Sequence, residues 1–261
     1  MQKPRSNRGK QALLLGIFAL SALVLTGCNG SVYGYESDLS SVNQTSWHLW
    51  RGAWLAAAVV GIFTAVLILW PVFRHRRKDG DPQYPKQTQY NIPIEVAYTV
   101  IPFIIVAVLF FFTARDESTI TAKEPSKVMH TIDVTGFQWS WQFGYEDGGA
   151  NAVVTGTPAQ PPTLVLPQGE RVAFKIHSND VVHGFWIPAF MIQIQNLPGV
   201  TNHIEFTANK LGEYPGRCNI LCGRNHSQMV FKVKVVTPDE YKAYVSSISN
   251  TGNTSNTGTG K

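Results

Sequence analysis

The densest group of chemically capable side chains lies in one stretch, Cys218-Asn219-Ile220-Leu221-Cys222-Gly223-Arg224-Asn225-His226-Ser227-Gln228-Met229. Two thiols, an imidazole and a thioether follow one another at offsets of 4, 4 and 3. Thiolate and thioether ligands are soft and select copper, zinc or iron–sulfur, and a methionine in the set favours copper. A second imidazole is offered by His183, in Asp180-Val181-Val182-His183-Gly184-Phe185-Trp186. A mononuclear blue-copper site uses one Cys, two His and a weak Met. The second thiolate, four residues on, lets both sulfurs bridge two coppers with one His each. Met229 and a backbone carbonyl then remain as weak outer donors. An electron shared across two bridged metals changes each bond little, which suits relaying electrons and not binding substrate. A Cys218–Cys222 disulfide in an oxidising compartment and a zinc site are the competing readings. The first leaves His226 and Met229 idle, and structural zinc sites rarely include methionine. His177 and His203 have no such company and read as structural.

These loops need a scaffold. From about Thr119 the chain shows short β-type runs broken by Gly and Pro. Residues 128–134, 138–143, 163–166, 171–177, 203–207 and 230–236 read as strands, and 238–247 as the first helical stretch of useful length. Several short strands with turn signals predict an all-β sandwich or barrel over 119–248, whose loops at one end bring His183 to the cysteines. Residues 249–261, rich in Asn, Thr, Gly and Ser, read as a disordered tail.

The scaffold in turn needs a place in the cell. Residues 1–27 read as a secretion signal, with a basic start and the apolar run Ala12–Leu25. Leu25-Thr26-Gly27-Cys28 looks like a bacterial lipobox, with Cys28 as the lipidated residue. An extracytoplasmic segment, 28–48, follows. Residues 49–115 then predict a transmembrane hairpin with spans at about 52–73 and 92–114, each long enough for a hydrocarbon core of about 30 Å. Trp47, Trp50, Trp54 and Trp70 mark the two interfaces. The loop 74–91 contains Arg74-His75-Arg76-Arg77-Lys78, which the positive-inside bias places in the cytoplasm. The mature N-terminus and the β domain therefore belong on the outer face of a bacterial plasma membrane. Glu95 is the one ionisable residue well inside a span, facing either protein or the interface near the helix end.

Net charge excludes one partner class. Of the +5, four positives (Lys3, Arg5, Arg8, Lys10) lie in the first ten residues. From Arg115 onward, twelve acids balance twelve Lys and Arg. No clustered basic face calls for nucleic acid. Three cysteines are too few for a disulfide framework.

The combination resembles subunit II of the haem–copper cytochrome c oxidases, over roughly residues 45–245. That family's loop C-x-E-x-C-G-x-x-H-x-x-M is matched at Cys218, Cys222, Gly223, His226 and Met229, and its D-V-x-H at Asp180-Val181-Val182-His183. Its Q-W-x-W is similar to Gln138-Trp139-Ser140-Trp141, and its E-x-x-W-T-x-x-P to Glu95-Val96-Ala97-Tyr98-Thr99-Val100-Ile101-Pro102. The resemblance implies a cupredoxin-like domain holding a dinuclear copper (CuA) centre. It implies Trp139 as the point where electrons arrive and Glu95 at the mouth of a proton path. It also implies, as partners, oxidase subunit I with the other oxidase subunits and a c-type cytochrome donor. Electrons would pass to haem in subunit I, where oxygen is reduced to water with proton pumping.

Two departures carry consequences. Ile220 stands where the family has Glu. The Ile220 carbonyl can serve copper, but a neighbouring magnesium or manganese ion loses a carboxylate. Gln195 replaces an Asp facing the donor in many members, and the outer domain is charge-neutral, so the expected donor is tethered or complex-bound instead of a basic soluble cytochrome. A quinol oxidase subunit II shares the fold but lacks the copper ligands. A copper chaperone or storage lipoprotein explains the ligands but not two spans. A nitrous-oxide reductase carries the copper pair on a soluble protein with another catalytic domain.

Overall fold

The computed structural model describes residues 34–84 and 87–255, together with Gly16. The signal segment and Cys28 lie outside the described residues. Helix α1 (Asn43–Arg74) and helix α2 (Ile92–Ile120) have 32 and 29 residues, or about 48 and 43 Å at 1.5 Å per residue. Both outrun the predicted spans, α1 by nine residues at its start and α2 by six at its end. Hydropathy marks only the part that meets hydrocarbon, whereas backbone hydrogen bonding carries each helix on into the interfaces. Pro93 in the first turn and Asn91 at the N-cap, accepting from Ile94 N–H at 3.3 Å, begin α2 sharply. Large apolar side chains such as Leu55, Phe63 and Phe103 stand exposed along these helices. A bilayer or a partner subunit must cover such a surface, since water would disfavour it.

The remainder is a two-sheet sandwich. In chain order the strands are β1 (His130–Phe137), β2 (Ser140–Tyr145), β3 (Val153–Thr155), β4 (Thr163–Pro167) and β5 (Arg171–Ser178). There follow β6 (His183–Ile187), β7 (Ile192–Asn196), β8 (Asn202–Thr207), β9 (Gly212–Cys218) and β10 (Val230–Val236). One sheet has the order β3-β2-β1-β5-β8 and the other β4-β10-β9-β6-β7. The strict alternation of buried and half-exposed residues along β5 turns Val172, Phe174 and Ile176 inward. Phe185 and Phe231 stack at 5.1 Å, and Trp141 meets both edge-on. Aromatic packing of this kind fills the space between the sheets and stiffens the end that carries the copper loops.

Four strands were not readable as such. β3 is short, while β6 and β7 lie in the stretch read only for its histidine motif. β9, with two glycines and Pro215, looks like turn sequence, yet it is internal. It pairs along its length with β10 but meets β6 only at Arg217 and Cys218, so Pro215 owes no hydrogen bond on that side. A further difference concerns the tail: helix α3 (Pro238–Ser255) continues past the expected start of disorder at Ser249. Thr237 and Glu240 cap one another at its start, Tyr241 and Val245 are buried, and Ser249 Oγ donates to Gly148 O at 2.9 Å. That last contact holds a turn that composition alone would leave free.

The segment before α1 is built into the sandwich. Ser40 forms a bridge with Ala208, Ser41 N–H donates to Thr207 O, and the buried Asn43 donates to Ala189 O at 3.2 Å. Arg171, at the start of β5, binds Glu205 on β8 and Glu124 just past α2. These contacts gather the helix connections at one end of the strands. The registers His130↔Val172 and Gly136↔Ser178 place the start of β6, the end of β9 and the ends of β1 and β5 at the other.

Candidate metal centre

Four loops meet at that far end: 137–139, 179–182, 197–201 and 219–229. Cys218 closes β9, so its position is fixed by the ladder, whereas Cys222 sits in the loop that returns to β10. Their Sγ atoms are 3.8 Å apart, both residues are buried, and both thiols are free. The competing disulfide is therefore not formed. His183 opens β6 and is fully buried; one of its ring nitrogens and the two Sγ atoms lie within 4.8 Å of one another. The ring fits because Gly136 has no side chain, and a Cβ there would lie 3.1 Å from it. His226 Nδ1 is 3.5 Å from Cys222 Sγ, Met229 Sδ is 3.7 Å from the same sulfur, and Ile220 O is 3.2 Å from Cys218 Sγ. All six groups expected from the sequence thus converge.

A functional neighbour that sequence reasoning did not single out is Asp180. Its Oδ1 accepts from His183 Nε2–H at 2.8 Å, and it also accepts from Gln138 N–H and Val181 N–H. The carboxylate fixes the imidazole tautomer, leaving His183 Nδ1 buried, with no hydrogen-bond partner. A histidine oriented by a carboxylate and offering its other nitrogen is the usual arrangement of a metal ligand. The three-residue spacing in Asp180-Val181-Val182-His183 was the available signal.

Electrostatics separate the two thiols. Burial works against ionising Cys218, but hydrogen bonding to His183, the Gly184 N–H and the groups around Ile220 and Cys222 prevails, bringing it down to about 6. Burial, followed by the charge on Cys218, pushes Cys222 up to about 12. Burial also opposes charge on His183, yet Cys218 and Asp180 raise it overall, while Asp180 lies below the usual carboxylate range despite partial burial, through its bonds to His183, Gln138 and Val181. One thiolate, one thiol, two imidazoles, a thioether and a carbonyl make a soft donor set that fits copper. Nothing similar exists for magnesium or manganese at position 220. The Ile220 side chain offers no ligand and packs over Gly184, where an added Cβ would lie 3.0 Å from it.

Trp139 lies in the β1–β2 turn and is half-buried; the peptide before it is cis. Its Nε1–H donates to Cys222 O at 3.2 Å, and Gln138 Nε2 donates to the same oxygen at 2.8 Å. Gly223, at φ 123°, allows this approach, since a Cβ there would come within 3.1 Å of both nitrogens. Glu95 is remote from the cluster. It sits in the first turn of α2, half-buried, and its Oε1 accepts from Asn91 N–H at 3.1 Å, capping its own helix.

Comparison with known proteins agrees with this geometry. Residues 159–236 match the family model described as "Cytochrome C oxidase subunit II, periplasmic domain". A probable cytochrome c oxidase subunit 2 of Streptomyces coelicolor is 37% identical, the alignment covering 97% of this chain and 90% of the relative. Cytochrome c oxidase subunit 2 of Mycobacterium tuberculosis is 33% identical over 90% of this chain and 81% of that protein. The crystal structure of the periplasmic domain of subunit II of the Bradyrhizobium japonicum cytochrome oxidase is 30% identical, covering 48% of this chain and 96% of that one, with a TM-score of 0.45. With two apolar helices, an extracytoplasmic β-sandwich and a buried His/Cys/Cys cluster, the chain belongs to the cytochrome c oxidase subunit II family, a component of that oxidoreductase complex.

Proposed function

We propose that this chain receives electrons from a c-type cytochrome at a dinuclear copper centre and passes them to haem in subunit I, where oxygen is reduced to water with proton pumping. The observation that carries the reading is the pairing of donors: two sulfurs 3.8 Å apart, His183 beside one and His226 beside the other. Cys218 and Cys222 would bridge, His183 Nδ1 and His226 Nδ1 would each hold one ion, and Met229 and the Ile220 carbonyl would be the weak donors. The copper pair supplies a one-electron couple shared between its ions.

The chain's own residues do the rest. Asp180 holds the His183 ring in one tautomer, and the stacked Phe185–Phe231 pair and Trp141 keep the supporting strands from shifting. Burial of both thiols excludes water, so little solvent reorders when charge changes. Trp139 gives a path from the surface, through Nε1–H and the Cys222 carbonyl, to a bridging sulfur. Helices α1 and α2 would pack on subunit I in a bacterial plasma membrane, with the N-terminus and the copper domain outside. Cys28 is the proposed lipid attachment point. Glu95 is the candidate at the proton-path mouth, and to act there it must release the Asn91 N–H that it caps.

The test is metal analysis and electron paramagnetic resonance of the purified oxidase. Two coppers sharing one unpaired electron, lost in Cys218→Ser or Cys222→Ser, support the reading. A single-copper spectrum, zinc, or a signal indifferent to either substitution refutes it.

A further inference from the structure

The four loops at the copper end contain one acid, Asp180, and one arginine, Arg224. The Asp180 carboxylate is already held by Gln138 N–H, Val181 N–H and His183 Nε2–H at 2.6–2.8 Å, and so is turned into the protein. Arg224 is exposed, directly after Gly223, which presses on Trp139. The remaining exposed side chains are uncharged. Among them Leu221 is 80% exposed, more than any other large hydrophobic side chain among the described residues, the membrane helices included. Val181 is 38% exposed. Hydrogen bonds join these positions into one patch: Asp180 ties Val181 to Gln138, and the Cys222 carbonyl ties Gln138 and Trp139 to the residue after Leu221.

We propose that this patch docks the electron donor through a mainly apolar contact on Leu221, Val181 and Trp139, and that the donor is a c-type haem domain whose exposed haem edge is framed by apolar and uncharged or acidic side chains. The proposal rests on the electron-input reading above and adds the chemistry of the partner. A lysine-ringed haem edge would meet Arg224 and no free carboxylate, so attraction over a distance is missing. Unsteered association runs at about 10⁵–10⁶ M⁻¹s⁻¹, against about 10⁸–10⁹ with charge steering at low salt. Holding the donor in the same complex replaces steering with an effective concentration of about millimolar order. An apolar seat suits that arrangement, because it works at short range and is insensitive to salt.

The experiment uses the purified oxidase and two soluble c-type cytochromes, one lysine-rich and one acidic, and follows reduction of the copper centre by stopped flow at several salt concentrations. The expected result is a rate with the lysine-rich donor that stays flat or rises with salt, and one with the acidic donor that falls by no more than about threefold, as for a single charge contact. Leu221→Asp and, separately, Val181→Asp should slow the acidic donor about tenfold, the scale of one lost apolar hot spot. Arg224→Glu should favour the lysine-rich donor. The copper spectrum and the internal transfer to haem, started by photoreduction, should be unchanged in all three variants. A steep fall with salt for the lysine-rich donor overturns the proposal. So does a Leu221→Asp variant that keeps the donor rates but slows internal transfer, since Leu221 would then face subunit I. Absence of a mixed-valence copper signal in the wild type would refute the electron-input reading itself, and is separable from either outcome.

Discussion

Copper binding should release about one proton from the thiol pair at both pH 7.5 and pH 10, beyond the fraction that His183 contributes at the lower value. Bridging requires two thiolates. Cys218, brought down to about 6, is already ionised at pH 7.5 and has nothing to lose. Cys222, pushed up to about 12, is protonated at both values, because a thiol with a raised pKa keeps its proton until the pH passes that pKa. Two ordinary thiols near pKa 8.5 would release about 1.8 protons at pH 7.5 and about 0.1 at pH 10, so pH 10 separates the cases. Linkage adds a second observable: copper affinity should still rise about tenfold, or about 1.4 kcal/mol, per pH unit between 9 and 10, where ordinary thiols would give almost no dependence. The assay is calorimetric titration of the copper-free full chain in detergent, with copper delivered from a chelator of known protonation, in buffers of different ionisation enthalpy. Release below about 0.3 proton at pH 10 would refute the claim that burial and the Cys218 charge hold a proton on Cys222.

Other perturbations have separate readouts. Trp139→Phe removes the Nε1–H bond to the Cys222 carbonyl while leaving every proposed ligand, so donor reduction should slow about tenfold or more with an unaltered copper spectrum, measured by stopped flow. Met229→Leu, at a fully buried position 3.7 Å from Cys222 Sγ, should retain copper and raise or lower its midpoint potential in a redox titration; loss of metal would show that the thioether is a strong ligand. Gly216→Ala would place a Cβ 2.1–2.5 Å from three Phe231 ring atoms in the stacked core, and should cost about 3 kcal/mol in denaturant unfolding, the upper end for overpacking. Asp180→Asn weakens the charge-assisted bond that fixes the His183 tautomer, so copper affinity should drop about 10- to 100-fold in competition with a chelator.

The ligand loop and the two helices were legible because their information is local. Offsets of 4, 4 and 3 between Cys218, Cys222, His226 and Met229 survive in one loop whatever surrounds it, and a run of apolar residues long enough to cross a bilayer announces itself by length. Strands such as β5 and β10 were equally plain from their alternation. β9 was not, because Gly and Pro suit an internal strand only where its neighbour β6 stops short, and strand order is not written in either segment. The continuation of α3 beyond Ser249 depends on an acceptor at Gly148, about a hundred positions away in the chain.

The sequence by itself determined which atoms are available to hold metal and on which side of a membrane they belong. Tertiary structure decided which of them meet: that His183 turns Nδ1 to the thiols because Asp180 occupies Nε2, that the Cys222 carbonyl faces Trp139, and that residues before α1 are woven into β8 and the turn after β6. Each is a hydrogen bond or a burial event set by strand register across dozens of intervening residues. Composition and spacing carry the donors, but only the closed sandwich fixes their angles, their protons and their distance from water.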